Sequence, residues 1–136
     1  MYPEYMVAPM REELTNVGFE QLLTATDVDS AVKSEGTVLV MVNSVCGCAA
    51  VNARPGVRMA IDGAKKPSKL VTVFAGMEKE AVDTARAYMM PYPPSSPSIA
   101  LFKDGKLVHM IERHHIEGRP AQLIAENLKA AFEEFC

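Results

Sequence analysis

Two thiols one residue apart, Cys46-Gly47-Cys48, are the residues of this chain best equipped for chemistry. They follow an unbroken β-branched and apolar run, Thr37-Val-Leu-Val-Met-Val-Asn43, which reads as a strand buried on both faces. Ala49, Ala50, Val51, Ala53, Val57 and Ile61 continue as a helix, so the pair stands where a strand turns into a helix. The first N–H groups of a helix lack intrahelical partners and form the positive end of its dipole. Cys46 at the N-cap edge and Cys48 just inside the first turn would therefore have their thiolates favoured, and the thiolate is the form that attacks disulfides. A bridge between residues two apart closes a small ring, expected to be strained and readily reduced. Gly47, without a Cβ, permits the backbone that closure needs. Packing alone is the weaker account, because two cysteines spaced for one bridge at a helix start are seldom just core.

The rest of the composition narrows the class. The 136 residues suffice for one domain spanning 1–136 with a real core, and 49% hydrophobic with 23% charged residues is ordinary for a globular chain. A net charge of −3 leaves no basic footprint, so nucleic acid is not an expected partner. Met1 to Glu13 lacks a positive start followed by an apolar run, and no stretch approaches membrane-spanning length. A reducing cytoplasm is the expected compartment, where paired cysteines are more often catalytic or metal-binding than structural. The nine methionines read as fillers of irregular core gaps.

The elements that must position the thiols alternate along the chain. Tyr5 to Thr15 places Met6, Val7, Met10 and Leu14 on one helical face, stopped at Asn16 and Gly18. Phe19 to Leu23 suits a short strand, and Thr26 or Asp27 a cap for a helix carrying Val28, Ala31 and Val32 that Gly36 ends. After the central strand and the cysteine helix, in which Pro55 should produce a kink, Lys65 to Lys69 is a polar connector. Leu70 to Ala75 is a second buried strand, and Glu78 to about Met89 a helix with Ala81, Val82, Ala85 and Met89 inward. Pro91-Tyr-Pro-Pro-Ser-Ser-Pro97-Ser is too rich in proline for regular structure. Ile99 to Phe102 and Lys106 to Ile111 flank Asp104-Gly105, a two-residue hairpin signal. Pro120 suits the first turn of a last helix with Leu123, Ile124, Leu128, Ala131, Phe132 and Phe135 on one face. This order implies helices around a mixed sheet, parallel first and with a hairpin at its edge.

Strand, cysteine pair and helix, then a later proline before a strand, a hairpin and a terminal helix, are similar to the thioredoxin fold. More narrowly, Val42-Asn-Ser-Val-Cys-Gly-Cys-Ala-Ala50, Thr72-Val-Phe-Ala-Gly76, Pro94-Ser-Ser-Pro-Ser98 and Arg113-His-His-Ile-Glu-Gly118 resemble the bacilliredoxins, as do Met10-Arg-Glu-Glu-Leu-Thr15 and the terminal Cys136. The resemblance spans essentially the whole chain. It implies a thioredoxin-like α/β three-layer sandwich, a central mixed sheet flanked by helices, with an extra N-terminal helix. It also implies that Pro97, after Ser96, is cis and lies against the cysteine pair.

The activity implied is removal of bacillithiol, or a similar small thiol, from mixed disulfides on client proteins, with weak disulfide isomerisation beside it. Cys46, nearer the helix tip, is the expected nucleophile and Cys48 the resolving thiol; bacillithiol is a co-substrate and no cofactor is expected. Backbone at Ser96, beside Pro97, would pair with an extended client as an added strand, with Gly47 completing the substrate-binding set. Arg113 and His114 are candidates for electrostatic support, adding positive potential near Cys46 or meeting carboxylates of a bound thiol; a solvated strand end explains them equally well. Thioredoxins carry one more residue between their cysteines, a tryptophan beside them and a buried acid on the preceding strand; this chain has none of these, which favours small-thiol adducts over protein disulfides.

Other residues carry less. His109 reads as structural. Arg54 lies about two turns, roughly 12 Å, along the helix from Cys46 and beyond direct contact. Cys136, at the chain end, reads as an incidental thiol or an intermolecular bridge. A different class of function, a metal-binding protein, would hold zinc or a soft ion through Cys46 and Cys48 with His114 or His115, but no second cysteine pair completes the set. A non-catalytic interaction domain on the same fold is a third reading.

Overall fold

The computed structural model describes residues 1–136. The buried run forms strand β2 (Thr37–Asn43), every residue of which is buried. Its neighbour on one side is β3 (Lys69–Phe74), in parallel, and beyond it the short parallel edge strand β1 (Glu20–Gln21). On the other side lie β4 (Ser98–Lys103), antiparallel to β2, and β5 (Lys106–Ile111), antiparallel to β4, giving the order β1-β3-β2-β4-β5. Asp104 and Gly105 both take positive φ, 50° and 82°, as a two-residue hairpin between twisted strands requires.

Alternation along β2 sends its side chains into two cores. Leu39 and Met41 pack with Leu14 of α1 (Glu4–Thr15), Val57 of α3 (Arg54–Ala60) and Ile124, Leu128 and Phe132 of α6 (Ala121–Phe135). Val38, Val40 and Val42 face Val28 and Val32 of α2 (Ala25–Val32) and Ala81, Val82 and Ala85 of α4 (Lys79–Tyr88). The result is the three-layer α/β sandwich with an added N-terminal helix.

Several boundaries differ from the sequence reading. The cap of α2 is Thr24, whose hydroxyl accepts from Asp27 N–H, so Thr26 and Asp27 lie inside the first turn. That helix ends at Val32; Gly36, at φ 86°, instead redirects the chain into β2. On α1 the buried positions are Val7, Arg11 and Leu14, with Met6 exposed. Arg11 takes the place expected of Met10 because Glu4 and Glu78 satisfy its guanidinium while Phe74 lies 5.2 Å beneath it. Pro120 caps α6 from outside the helix, and Leu123 is half exposed. The strand expected over Phe19 to Leu23 pairs only at Glu20–Gln21. A short helix, α5 (Arg113–Ile116), follows β5 where the sequence reading has only the end of the hairpin's second strand.

The irregularity at Pro55 takes the form of a π-helical turn, Ala49–Ala53, just upstream. There Arg54 N–H reaches back to Ala49 C=O, a wider ring than the α-helical one. Pro55 then falls in the first turn of α3, where a missing N–H costs nothing. This helix packs on α6 through Gly56, at which a Cβ would lie 2.8 Å and 2.9 Å from Ile124 side-chain atoms and 3.1 Å from Ala121 C=O.

Gly56→Ala gains about 1 kcal/mol in helix propensity and loses about 1–3 kcal/mol to overpacking against a backbone that cannot swing aside. A net loss of stability is expected, read as a lower urea midpoint. An unchanged or higher midpoint would show that α6 yields at no cost.

Candidate active site

β2 delivers the chain to the site, and its last residue is polar although wholly buried. Asn43 Nδ2 donates to Met10 C=O of α1 (3.1 Å), and its Oδ1 accepts from Ser44 N–H (2.9 Å) and from Arg54 Nη1 (2.9 Å). The same Arg54 nitrogen donates to Ser44 C=O at 2.9 Å. Arg54, 1% exposed, is thus a buried cation beneath the turn that precedes the cysteines. Its counterion is Glu13 of α1: Arg54 Nε lies 3.2 Å from Glu13 Oε1, in ion-pair range though not aligned to donate, and Arg58 Nη1 shares that oxygen at 3.3 Å.

Above this support the helical residues begin at Gly47, so Cys46 caps the helix and Cys48 lies in its first turn. Cys46 C=O accepts from Ala49 N–H and Ala50 N–H. The two sulfurs are joined in a disulfide with a Cα–Cα separation of 5.5 Å. Ser44 Oγ donates to Cys46 Sγ at 3.3 Å. Both cysteines are half-buried, in different surroundings: Cys48 packs on the core that α3 and α6 share, while Cys46 lines an open pocket of about 340 Å³. That division suits an entering thiol at Cys46 and a sheltered one at Cys48.

Pro97 is buried and its bond to Ser96 is cis, as is Met90–Pro91. Val42 pairs with Ser98, and one and two steps along this antiparallel register bring Pro97 and Ser96 beside the end of β2. Ser96 accordingly lines the pocket with Cys46. Its C=O accepts from Arg113 Nη1 at 3.2 Å, and Arg113 N–H donates to Ser95 Oγ at 3.3 Å. Arg113, held also by Glu117 (2.5 Å), is a lining residue. His114 is not: it is exposed, stacked at 4.0 Å on His115. Gly47 is exposed, with open space where a Cβ would stand.

The ligands of the metal reading are not gathered. The cysteines bond each other, and His114 and His115 cluster with Glu112 instead, their ligand atoms within 4.8 Å of one another and no sulfur among them. His109 Nε2 shares a hydrogen bond with Asn127 Oδ1 (2.7 Å), and Cys136 is exposed at the end of α6. A larger hollow of about 430 Å³, lined by His115, Arg119 and Asn127, contains no nucleophile.

His115 holds α5 at its start. Glu112 N–H donates to His115 Nδ1 (3.0 Å) while the Glu112 carboxylate accepts from the His115 backbone. Burial, then the charge of His114, pushes the His115 imidazole below its ordinary value, with Arg119 and His109 adding and Glu112 opposing.

The sequence reading sets Arg54 beyond direct contact with Cys46, but the supporting roles of Asn43, Ser44 and Arg54 are not read from it. Their signal was present: a polar residue closing an otherwise apolar buried strand, and an arginine beside the inward positions Ala53 and Val57. Tyr2 and Arg86, which also line the pocket, left none.

The family model described as Disulphide isomerase matches residues 2–136. The chain is 58% identical to a bacilliredoxin of Cytophaga hutchinsonii over 134 residues, covering 98% of this chain and 99% of that one. It is 56% identical to a bacilliredoxin of Koribacter versatilis over 137 residues, covering 100% and 94%. Among solved structures, a mutant thioredoxin of Halobacterium salinarum superposes with a TM-score of 0.60 at 18% identity, covering 88% of this chain and 91% of that one.

Arg54→Met strips Asn43 Oδ1 and Ser44 C=O of a charged donor, with an expected loss of about 1–3 kcal/mol in urea unfolding. Alkylation of the reduced variant should also show the Cys46 thiolate forming at higher pH; an unmoved profile would make Arg54 purely structural. Because the folded His115 binds its proton more weakly than the unfolded one, its contribution to stability is present above the ordinary histidine value and lost as pH falls through the folded value. The urea midpoint of the native protein should therefore drop between pH 7.5 and pH 5 by more than that of His115→Gln.

Proposed function

The chain belongs to the bacilliredoxin family and is a thioredoxin-fold thiol–disulfide oxidoreductase, and on that premise we propose that it removes bacillithiol from mixed disulfides on client proteins. The observation that carries this reading is the division of labour within the bonded pair: Cys46 faces a pocket sized for a small molecule, and Cys48 packs on the core one residue away.

In the reduced protein, the helix start and the Ser44 hydroxyl favour the Cys46 thiolate. That thiolate attacks the bacillithiol sulfur of the client adduct. The Cys46–bacillithiol bond forms, the client–bacillithiol bond breaks, and the client sulfur leaves as a thiolate that takes a proton from water. Cys48, deprotonated, then attacks Cys46 Sγ, closing the intramolecular disulfide and expelling bacillithiol; a second bacillithiol attacking the adduct is the other exit. The two electrons that reduce the client bond come from the cysteine pair and must be returned by a thiol reductant.

Bacillithiol is a co-substrate here, with no bound cofactor in the cycle. An extended client segment would lie along Ser96, whose carbonyl is already engaged by Arg113 and has a second lone pair to offer. Arg113 thus combines client positioning with positive potential at the pocket, while His114, outside it, contributes at longer range. Weak isomerase activity is consistent with the same pair acting on protein disulfides, and a reducing cytoplasm with regeneration by small thiols.

Intact-protein mass spectrometry of a bacillithiol-modified client mixed with the reduced protein tests the roles. The adduct should move to the native protein, remain trapped on Cys46 in Cys48→Ser, and stay on the client with Cys46→Ser. A client that keeps its adduct in all three mixtures would falsify the reading.

A further inference from the structure

The pocket beside Cys46 contains a cation that the fold leaves unpaired. Arg86, in the last turn of α4, lines it together with Tyr2, Gly76, Ser96 and Arg113. Its Nε is buried without any hydrogen-bond partner, and no carboxylate lies within ion-pair distance of its guanidinium. The nearest comparable cations are all engaged: Arg11 by Glu4 and Glu78, Arg54 by Glu13, Arg113 by Glu117. A position near the negative end of α4 favours a positive charge there, but gives Nε nothing to donate to. A buried donor left without an acceptor is destabilising, and an entering acceptor relieves it.

Tyr2 and Gly76 form another part of the wall. Gly76, at φ 90°, has the Tyr2 ring so close that a Cβ would lie 2.8 Å from its Cε2. Tyr2 thereby lines the site, and the cavity of about 340 Å³ has one aromatic wall and two guanidinium groups beside a reactive sulfur. A guanidinium fork matches a carboxylate in a bidentate manner. The unpaired Arg86 fork, with the Arg113 guanidinium already held by Glu117 and Ser96 C=O adding positive charge, matches a small thiol bearing a carboxylate, as bacillithiol does.

We infer that Arg86 selects the small-thiol half of the mixed disulfide by its carboxylate, with Arg113 adding positive potential, making the pocket a site for a carboxylate-bearing thiol. The inference rests on the de-thiolation reading and specifies its substrate class. Arg86 is a specificity-determining residue: it holds the adduct while Cys46 attacks, and takes no part in the sulfur exchange itself.

The test compares two adducts of one client, one formed with bacillithiol and one with 2-mercaptoethanol, which is neutral and has no carboxylate. Transfer rates to the reduced protein are read by intact mass for the native protein, Arg86→Met and Arg86→Lys, each checked for folding by circular dichroism. The native protein should prefer the bacillithiol adduct, and Arg86→Met should lower the bacillithiol-to-mercaptoethanol rate ratio about 10-fold or more, the size expected of a lost charge-assisted hydrogen bond. Arg86→Lys, which keeps the charge and carries the comparison if Arg86→Met does not fold, should show a ratio between the two. If native protein shows no preference, or the variants preserve its ratio, the inference is overturned while de-thiolation stands. If native protein moves neither adduct, the de-thiolation reading fails and takes the inference with it.

Discussion

One buried guanidinium organises the reactive turn. Arg54 reaches back along its own helix to hold Asn43 Oδ1 and Ser44 C=O from a single nitrogen, tying the helix that carries the cysteines to the strand that delivers them. A cation 1% exposed is tolerable only with hydrogen bonds and a counterion, and Asn43, Ser44 and Glu13 supply them. The Ser44 hydroxyl, fixed by that arrangement, is then free to point at Cys46 Sγ.

The extra N-terminal helix belongs to the same arrangement. It provides Glu13 as counterion, Met10 C=O as acceptor for Asn43, and Tyr2 just ahead of it as a wall of the pocket. Arg11 fastens it through Glu78 and the face of Phe74. An element that looks like an addition to the thioredoxin fold therefore supplies part of the site's support.

The sign of the charge around the cysteines follows. The strand before the cysteines is apolar up to the carboxamide of Asn43, with the cation of Arg54 behind it and Arg86 and Arg113 at the pocket. Positive charge at the pocket favours a thiolate.

The chain's local chemistry was legible without coordinates. The apolar run of β2, the Cys46-Gly47-Cys48 turn, the Asp104-Gly105 hairpin and the inward faces of α4 depend on residue type and spacing over a few positions, and they stand in the structure as read. Element edges moved by a residue or more, as at Thr24 and Gly36, because adjacent polar residues compete for one cap on nearly equal terms. What only the tertiary structure decided was the company of the cysteines. Arg54 lies too far along its helix to touch Cys46, yet a long side chain folded back into a low-dielectric interior finds acceptors that sequence distance does not register. Tyr2, Glu13 and Arg86 come from distant parts of the chain and meet the site only through the packing of α1 and α4 on the sheet. The sequence by itself determined the thiol pair and its strand-to-helix turn; the surrounding charge, a sum over side chains that meet only on folding, was decided in three dimensions.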